Sequence, residues 1–226
     1  MKTLASHMNE ALKIGKNLSN FSTYSCQPAD KKELKQLIEE RINKEGPECD
    51  LNDIDTSLIT DMASLFYSSN FNGNISNWDT SNVINMINMF AYSKFNGNIS
   101  SWDVSKVKNM SSMFDRSKFN QDISKWDVSK VKNMFAMFRY SSFNSDISKW
   151  DVSNVNSMSR MFYKSKFNKS IGNWNVNNVN DMIHMFRESK FNQDISSWKI
   201  NKDCVTYNIF DGCPIKEEFK PKSLQK

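Results

Sequence analysis

Every tryptophan of the chain lies on one arithmetic ladder: Trp78, Trp102, Trp126, Trp150, Trp174 and Trp198, at a step of 24 residues without a slip. The same step generates a phenylalanine column from Phe71 to Phe191 and a second from Phe66 to Phe210. Met86, Met110, Met134, Met158 and Met182 form another column, with Met89, Met113, Met137, Met161 and Met185 beside it. A constant period without insertions means that each unit repeats the path of the one before, so the chain is expected to be a stacked repeat. One unit cannot bury its own Trp, Met and Phe; it buries them against its neighbours.

Within a unit, Trp126 and Val128 stand two apart, which predicts a short strand pointing both inward. Met134, Met137 and Phe138 then stand at i, i+3 and i+4, the spacing of one helical face. Asp61, Asn85, Asn109, Asn133, Ser157 and Asp181 precede these segments and are favoured N-cap residues. The expected unit is therefore a strand, a bend, a helix of a turn or two, and a return loop through "FN". The loop asparagines, Asn72 to Asn192, form a column that can satisfy backbone groups of adjacent units. Six stacked Trp could alternatively be an exposed platform for sugars or bases. Their inward phase, alternating with Asp and Ser, favours the core.

Units such as "FNQDISKWDVSKVKNMFAMF" resemble the repeats of the BspA-like leucine-rich-repeat proteins, over about residues 51–210. The resemblance implies an α/β repeat solenoid: a right-handed coil with a parallel sheet on one face and short helices on the other. It also implies a bacterium, phage or mobile element as source. Many relatives are surface adhesins.

The expected organisation is a helical N-terminal cap at 1–50, a solenoid at 51–210 and a C-terminal tail at 211–226. Leu34, Leu37, Ile38 and Ile42 share one helical face behind an Asp30 cap, with Gly46-Pro47 as the stop. Residues 1–29 read as a short amphipathic helix followed by a polar loop, and the tail as flexible and basic. The opening helices could alternatively form a separate partner-binding domain. The opening residues lack the apolar stretch of a secretory signal, so the chain is expected in the cytoplasm, with the cell surface as the alternative. No apolar run approaches the ~20 residues of a membrane helix. Cys26, Cys49, Cys204 and Cys213 are too dispersed for a disulfide framework; free thiols are expected, with a Cys204–Cys213 bridge as the alternative.

Two surfaces are free to vary. One carries the column Asp79, Asp103, Asp127 and Asp151, edged by Lys106 and Lys130. These aspartates either close local turns with the serine two residues on, or form an acidic stripe for a basic protein; calcium is a third reading, without the spacing of calcium repeats. The other surface, scattered around the rim, holds Tyr67, Tyr92, Arg116, Arg139, Tyr140, Tyr163, Lys164 and Arg187, types enriched at interface hot spots. Formal net charge is +5, arising outside residues 1–50 and spread thinly, short of a nucleic-acid footprint. The only histidines are His7 and His184, and no phosphate loop or nucleophile–base set can be assembled. No metal or cofactor is expected. The expected function is non-enzymatic: a monomeric module that binds and masks a protein partner, such as a phage inhibitor of a bacterial defence protein. A surface adhesin and a nucleic-acid binder are the alternatives.

Overall fold

In a computed structural model, which describes residues 24–225, the period becomes direct contact between peptide groups. The N–H of Met62 donates to the Asn85 carbonyl at 2.9 Å, and Met86 to Asn109 at 3.0 Å. The series continues through Met110, Met134 and Met158, and Met182 closes it on Val205. The Asn85 carbonyl and the Met86 N–H belong to one peptide group, so these bonds form an unbroken chain along the stack. Three more chains run beside it, from Ser64 to Tyr207, Phe66 to Ile209 and Ser68 to Asp211.

This pattern overturns the expected α/β coil with its parallel sheet and short helices. Among the described residues there is one α-helix, α1 (Lys31–Glu45), and the coils are joined by isolated parallel bridges such as Asn109↔Asn133 rather than by a sheet. The reason lies in where the amide protons go. Met110, Ser112, Phe114 and Arg116 each donate to the next coil, while Met113, Asp115 and Ser117 donate three residues back, to Met110, Ser112 and Phe114. No N–H is left for an i−4 helical bond. Ser112 and Arg116 take φ of 54°, which the third position of a type II turn requires. The i, i+3, i+4 spacing of Met and Phe thus records successive tight turns. The expected strand fails likewise: Trp126 donates to Ile123, and Val131 to Val128, so the Trp segment is also two turns. Period two still put Trp126 and Val128 inward.

Short polar side chains direct the chain through each unit. In one unit Asn98 accepts from the Ser100 N–H at 3.0 Å, Asp103 from Ser105 at 2.9 Å, Asn109 from Ser111 at 2.9 Å and Ser117 from Phe119 at 3.3 Å. The residues expected as helix caps do accept N–H groups, but each closes a single turn. The loop asparagines form the expected ladder: the Asn120 N–H donates to the Asn96 side chain at 2.8 Å, and Asn144 to Asn120 at 2.7 Å.

The core is a set of stacked rings. Trp126 is 4% exposed, and its indole N–H donates to the Ile99 carbonyl of the preceding coil at 3.1 Å. All six tryptophans repeat this bond one coil back. Phe114 and Phe138 lie 5.6 Å apart with rings 5° from parallel, and Phe138 meets Phe143 at 4.1 Å.

Each end carries a covering segment. The Asp30 carboxylate accepts from the Glu33 N–H at 2.9 Å, Gly46 ends α1 at φ 92°, and Leu34, Leu37 and Ile38 are buried with Leu51 and Ile54 in one core. Arg41 anchors the helix to Asp53 at 2.9 Å. The tail read as flexible instead folds onto the last coils through two short 3-10 turns, Glu217–Phe219 and Lys222–Leu224. Ile215 is buried there, and the Ile195 N–H donates to Phe219. All four cysteines are free, and burial pushes the Cys204 thiol up to about 11. The expected N-terminal amphipathic helix and His7 lie outside the described residues, as does most of the opening stretch. No helix of the described residues is long and apolar enough to cross a membrane.

Candidate functional site

The fourth peptide chain carries Ser68, Tyr92, Arg116, Tyr140, Lys164 and Glu188, all with positive φ, and ends at Gly212. Residues on either side, Phe114 and Ser117 for example, are buried, so this column projects outward. The 24-residue step brings the rim candidates into one line of contacts. Tyr67 and Tyr92 lie 5.6 Å apart. The Arg116 guanidinium sits 5.5 Å from the Tyr92 ring centre and only 3.9 Å from that of Tyr140. Lys164 Nζ lies 5.5 Å from both Tyr140 and Tyr163, and these two rings meet edge to face at 5.2 Å. What read in sequence as scattered around the rim is a continuous ridge.

Its charges are not equally free. Arg139 forks onto the buried Asp115 carboxylate, a bidentate pair that also holds the arginine's orientation. Lys164 pairs with Glu188 at 3.1 Å, and Arg187 with Asp211 at 3.0 Å. Arg116 makes no ion pair among the described residues; it is held by tyrosine faces. The Tyr140 hydroxyl is pulled below its ordinary pKa, first by its hydrogen bond with Tyr163 and then by the charges of Lys164, Arg116 and Arg139.

A further column was missed. Lys94, Lys118, Lys166 and Lys190 are exposed, two residues beyond the ridge column and across a buried serine. None has an ion-pair partner among the described residues. The signal was legible as the "SKFN" that recurs before four of the six return loops, with Asn70 and Ser142 at the lysine position in the other two. Across the three columns, Lys94, Arg116, Lys118, Arg139, Lys164, Lys166, Arg187 and Lys190 face Asp115, Glu188 and Asp211, eight cations against three carboxylates. The net charge that looked thinly spread is concentrated here.

The acidic candidates stand elsewhere in the unit. Asp79, Asp103, Asp127 and Asp151 each accept from the serine N–H two residues on, at 2.9–3.0 Å. The hydroxyl and N–H of Ser105 and of Ser153 hold Asp103 and Asp151 below the usual carboxylate range. Lys106 reaches Asn82 at 2.8 Å; Lys130 is exposed. The turn-closing reading therefore describes what these carboxylates do in the fold. His184 occupies a left-handed position at φ 56°, not a helical one, and burial, then Arg187 and Arg160, lower its pKa. Among the described residues no three metal-binding side chains converge. Shallow concavities lie at the stack ends, one lined by Thr206, Asn208, Phe210 and Lys220, another by Arg41, Asp53 and Asn77.

A family profile described as "Mycoplasma protein of unknown function, DUF285" matches residues 32–142 and again residues 116–220. No curated protein and no solved structure matches. The double match is that of a repeat protein whose units align in more than one register.

Proposed function

The chain belongs to this family of proteins of unknown function, and on that premise we propose that it is a non-enzymatic protein-binding module. The single observation that supports this most is the continuous line Tyr67–Tyr92–Arg116–Tyr140–Tyr163, with Lys164 beside it. Tyr supplies large contact area at small entropic cost, and Tyr and Arg together dominate interface energetics. Their seating on hydrogen-bonded peptide chains pre-organises them, so little ordering is left for the binding step. The mechanism is steric: a rigid ridge docks on a partner and masks a site, as an inhibitor of a bacterial defence protein would. The finer placement among BspA-like repeats rests on the repeated F-N-x-x-I-x-x-W signature. A monomer in the reducing cytoplasm suits the four free thiols. Side chains that recur coil after coil suit an extended contact better than the singular geometry of an active site.

The test is capture from extract of the native host with the wild-type protein and two variants. Arg116→Glu with Tyr140→Ala should abolish recovery of a specific partner, while Asp103→Lys with Asp127→Lys should leave it. Loss only with the second variant would move the interface to the acidic columns, and loss with neither would discard both faces.

A further inference from the structure

We infer that the ridge is a track for an acidic polypeptide segment, with Arg116 as its oriented anchor and the Lys94, Lys118, Lys166 and Lys190 column seating the flanking carboxylates. This rests on the binding reading above and names the class of partner. Arg139, Lys164 and Arg187 are already matched by carboxylates of the chain itself. The unmatched charge is Arg116 and the lysine column. Arg116 lies against Tyr140 with 3.9 Å between guanidinium carbon and ring centre. A guanidinium held by its face keeps its N–H fork for a planar carboxylate.

The same geometry decides between polyanions. A single-stranded nucleic acid gains affinity by stacking bases on open aromatic faces. Here the Tyr140 ring is covered by Arg116, approached by Lys164 and met edgewise by Tyr163. At the centre of the ridge this ring serves to position cations and offers a base little face, which leaves Tyr67 and Tyr92 as the exposed rings, too few for a stacking track. Hydrogen-bonded coils recur every ~4.8 Å, so from Lys94 to Lys190 the column offers a cation at four of five steps. Carboxylates on one side of an acidic helix lie ~5–6 Å apart, within reach of lysine stems.

The experiment is fluorescence anisotropy of a labelled octaglutamate peptide at low salt, with an unlabelled oligothymidylate of equal length as competitor. Two charge-matched double variants are compared: Lys118→Glu with Lys166→Glu on the ridge, and Lys125→Glu with Lys149→Glu beside the tryptophan segment. The ridge variant should weaken octaglutamate about tenfold or more, roughly 1.4 kcal/mol, and the control by less than about twofold. Equal losses would reduce the effect to net charge and overturn the proposal, as would absence of binding. Competition by the oligothymidylate stronger than by octaglutamate itself would replace it with nucleic acid. If Arg116→Glu loses the native partner while octaglutamate never binds, the acidic class falls and the ridge reading stands. If octaglutamate binds the ridge while capture survives Arg116→Glu, the partner uses another face.

Discussion

Trp126 shows how much one side chain does in a repeated fold. It fills the core of its own coil, 4% exposed, and its indole N–H satisfies the Ile99 carbonyl of the coil below. Trp126→Ala therefore removes packing and one of the two donors to the Ile99 carbonyl, which keeps the Trp102 N–H at 3.2 Å, a cost of about 3–5 kcal/mol. Trp126→Phe keeps most of the ring and isolates the hydrogen bond, at about 0.5–1.5 kcal/mol. Chemical unfolding measures both, and equal losses in the two variants would show that the bond, not the ring, carries the site. Ser112 tests the backbone instead. At φ 54° a side chain costs about 1–2 kcal/mol, of which the unfolded chain's greater freedom with glycine returns about 0.4–1. Ser112→Gly should thus stabilise by about 0.5 kcal/mol, and the β-branched Ser112→Val should destabilise, with a lower melting temperature. A melting point raised by valine would mean that the column is not left-handed. In the neighbouring left-handed column, that of Arg116, the last coil carries a glycine of its own, Gly212 at φ 66°.

At the scale of the element, the unit is built from side-chain-closed turns, and that makes it sensitive to acid. Asp122, Asp146 and Asp194 accept from the N–H and hydroxyl of Ser124, Ser148 and Ser196, which lower their pKa; Asp103 and Asp151 are lowered by Ser105 and Ser153. A carboxylate depressed in the native state contributes stability that is present above its unfolded pKa of about 3.9 and lost as pH falls through the lower native value. The urea midpoint should therefore be flat near neutrality and drop below about pH 4. Asparagine closes the same turn at Asn98 and Asn175 without a proton to gain. Replacing the five aspartates by asparagine should flatten the acid limb, and an unchanged limb would assign it to other carboxylates. The turns also explain what the sequence could and could not show. The Asp-x-Ser pairs, the asparagine ladder and the buried tryptophans are local chemistry repeated in register, and all were legible. The Met-x-x-Met-Phe spacing was not, because the faces of a helix and of consecutive turns bury the same residues. Only the destination of alternate amide protons separates them, and that depends on positive φ at positions such as Tyr92 and Arg116, which those residue types do not advertise. The ridge was half legible: its Tyr and Arg were named individually, but the Lys94 column was passed over because lysines in turns read as ordinary solvated surface.

At the scale of the whole molecule, the four peptide chains all point one way, N–H toward the C-terminal end, so their dipoles add as in a helix. The column running from Ile84 through Lys108 and Lys132 points the other way and offsets part of this. Such a stack is additive in units, each contacting its neighbours. Deleting residues 123–146 joins Asp122 to Ile147 with every column in register, and the shortened protein should fold with a smaller dependence of stability on urea. Deleting residues 123–134 alone shifts the later columns by half a unit, setting Met158 in the register of Asp122 and Asp146 in the register of the buried Met110, and should abolish the cooperative transition. The direction of the chains makes a further difference between interior and end. In the interior the N–H groups of Met134, Ala136, Phe138 and Tyr140 each donate to the next coil at 2.8–3.0 Å. Their equivalents in the last coil, Thr206, Asn208, Phe210 and Gly212, have no acceptor among the described residues, whereas the interleaved Ile209, Asp211 and Cys213 donate three residues back within the coil. Native-state hydrogen exchange followed by NMR should show the first four amides exchanging only through large-scale opening. Thr206, Asn208, Phe210 and Gly212 should exchange orders of magnitude faster, in alternation with the protected Ile209, Asp211 and Cys213. Uniform protection along the last coil, with no alternation, would show that its amide protons do not point along the stack, and the one-way peptide chains would have to be redrawn.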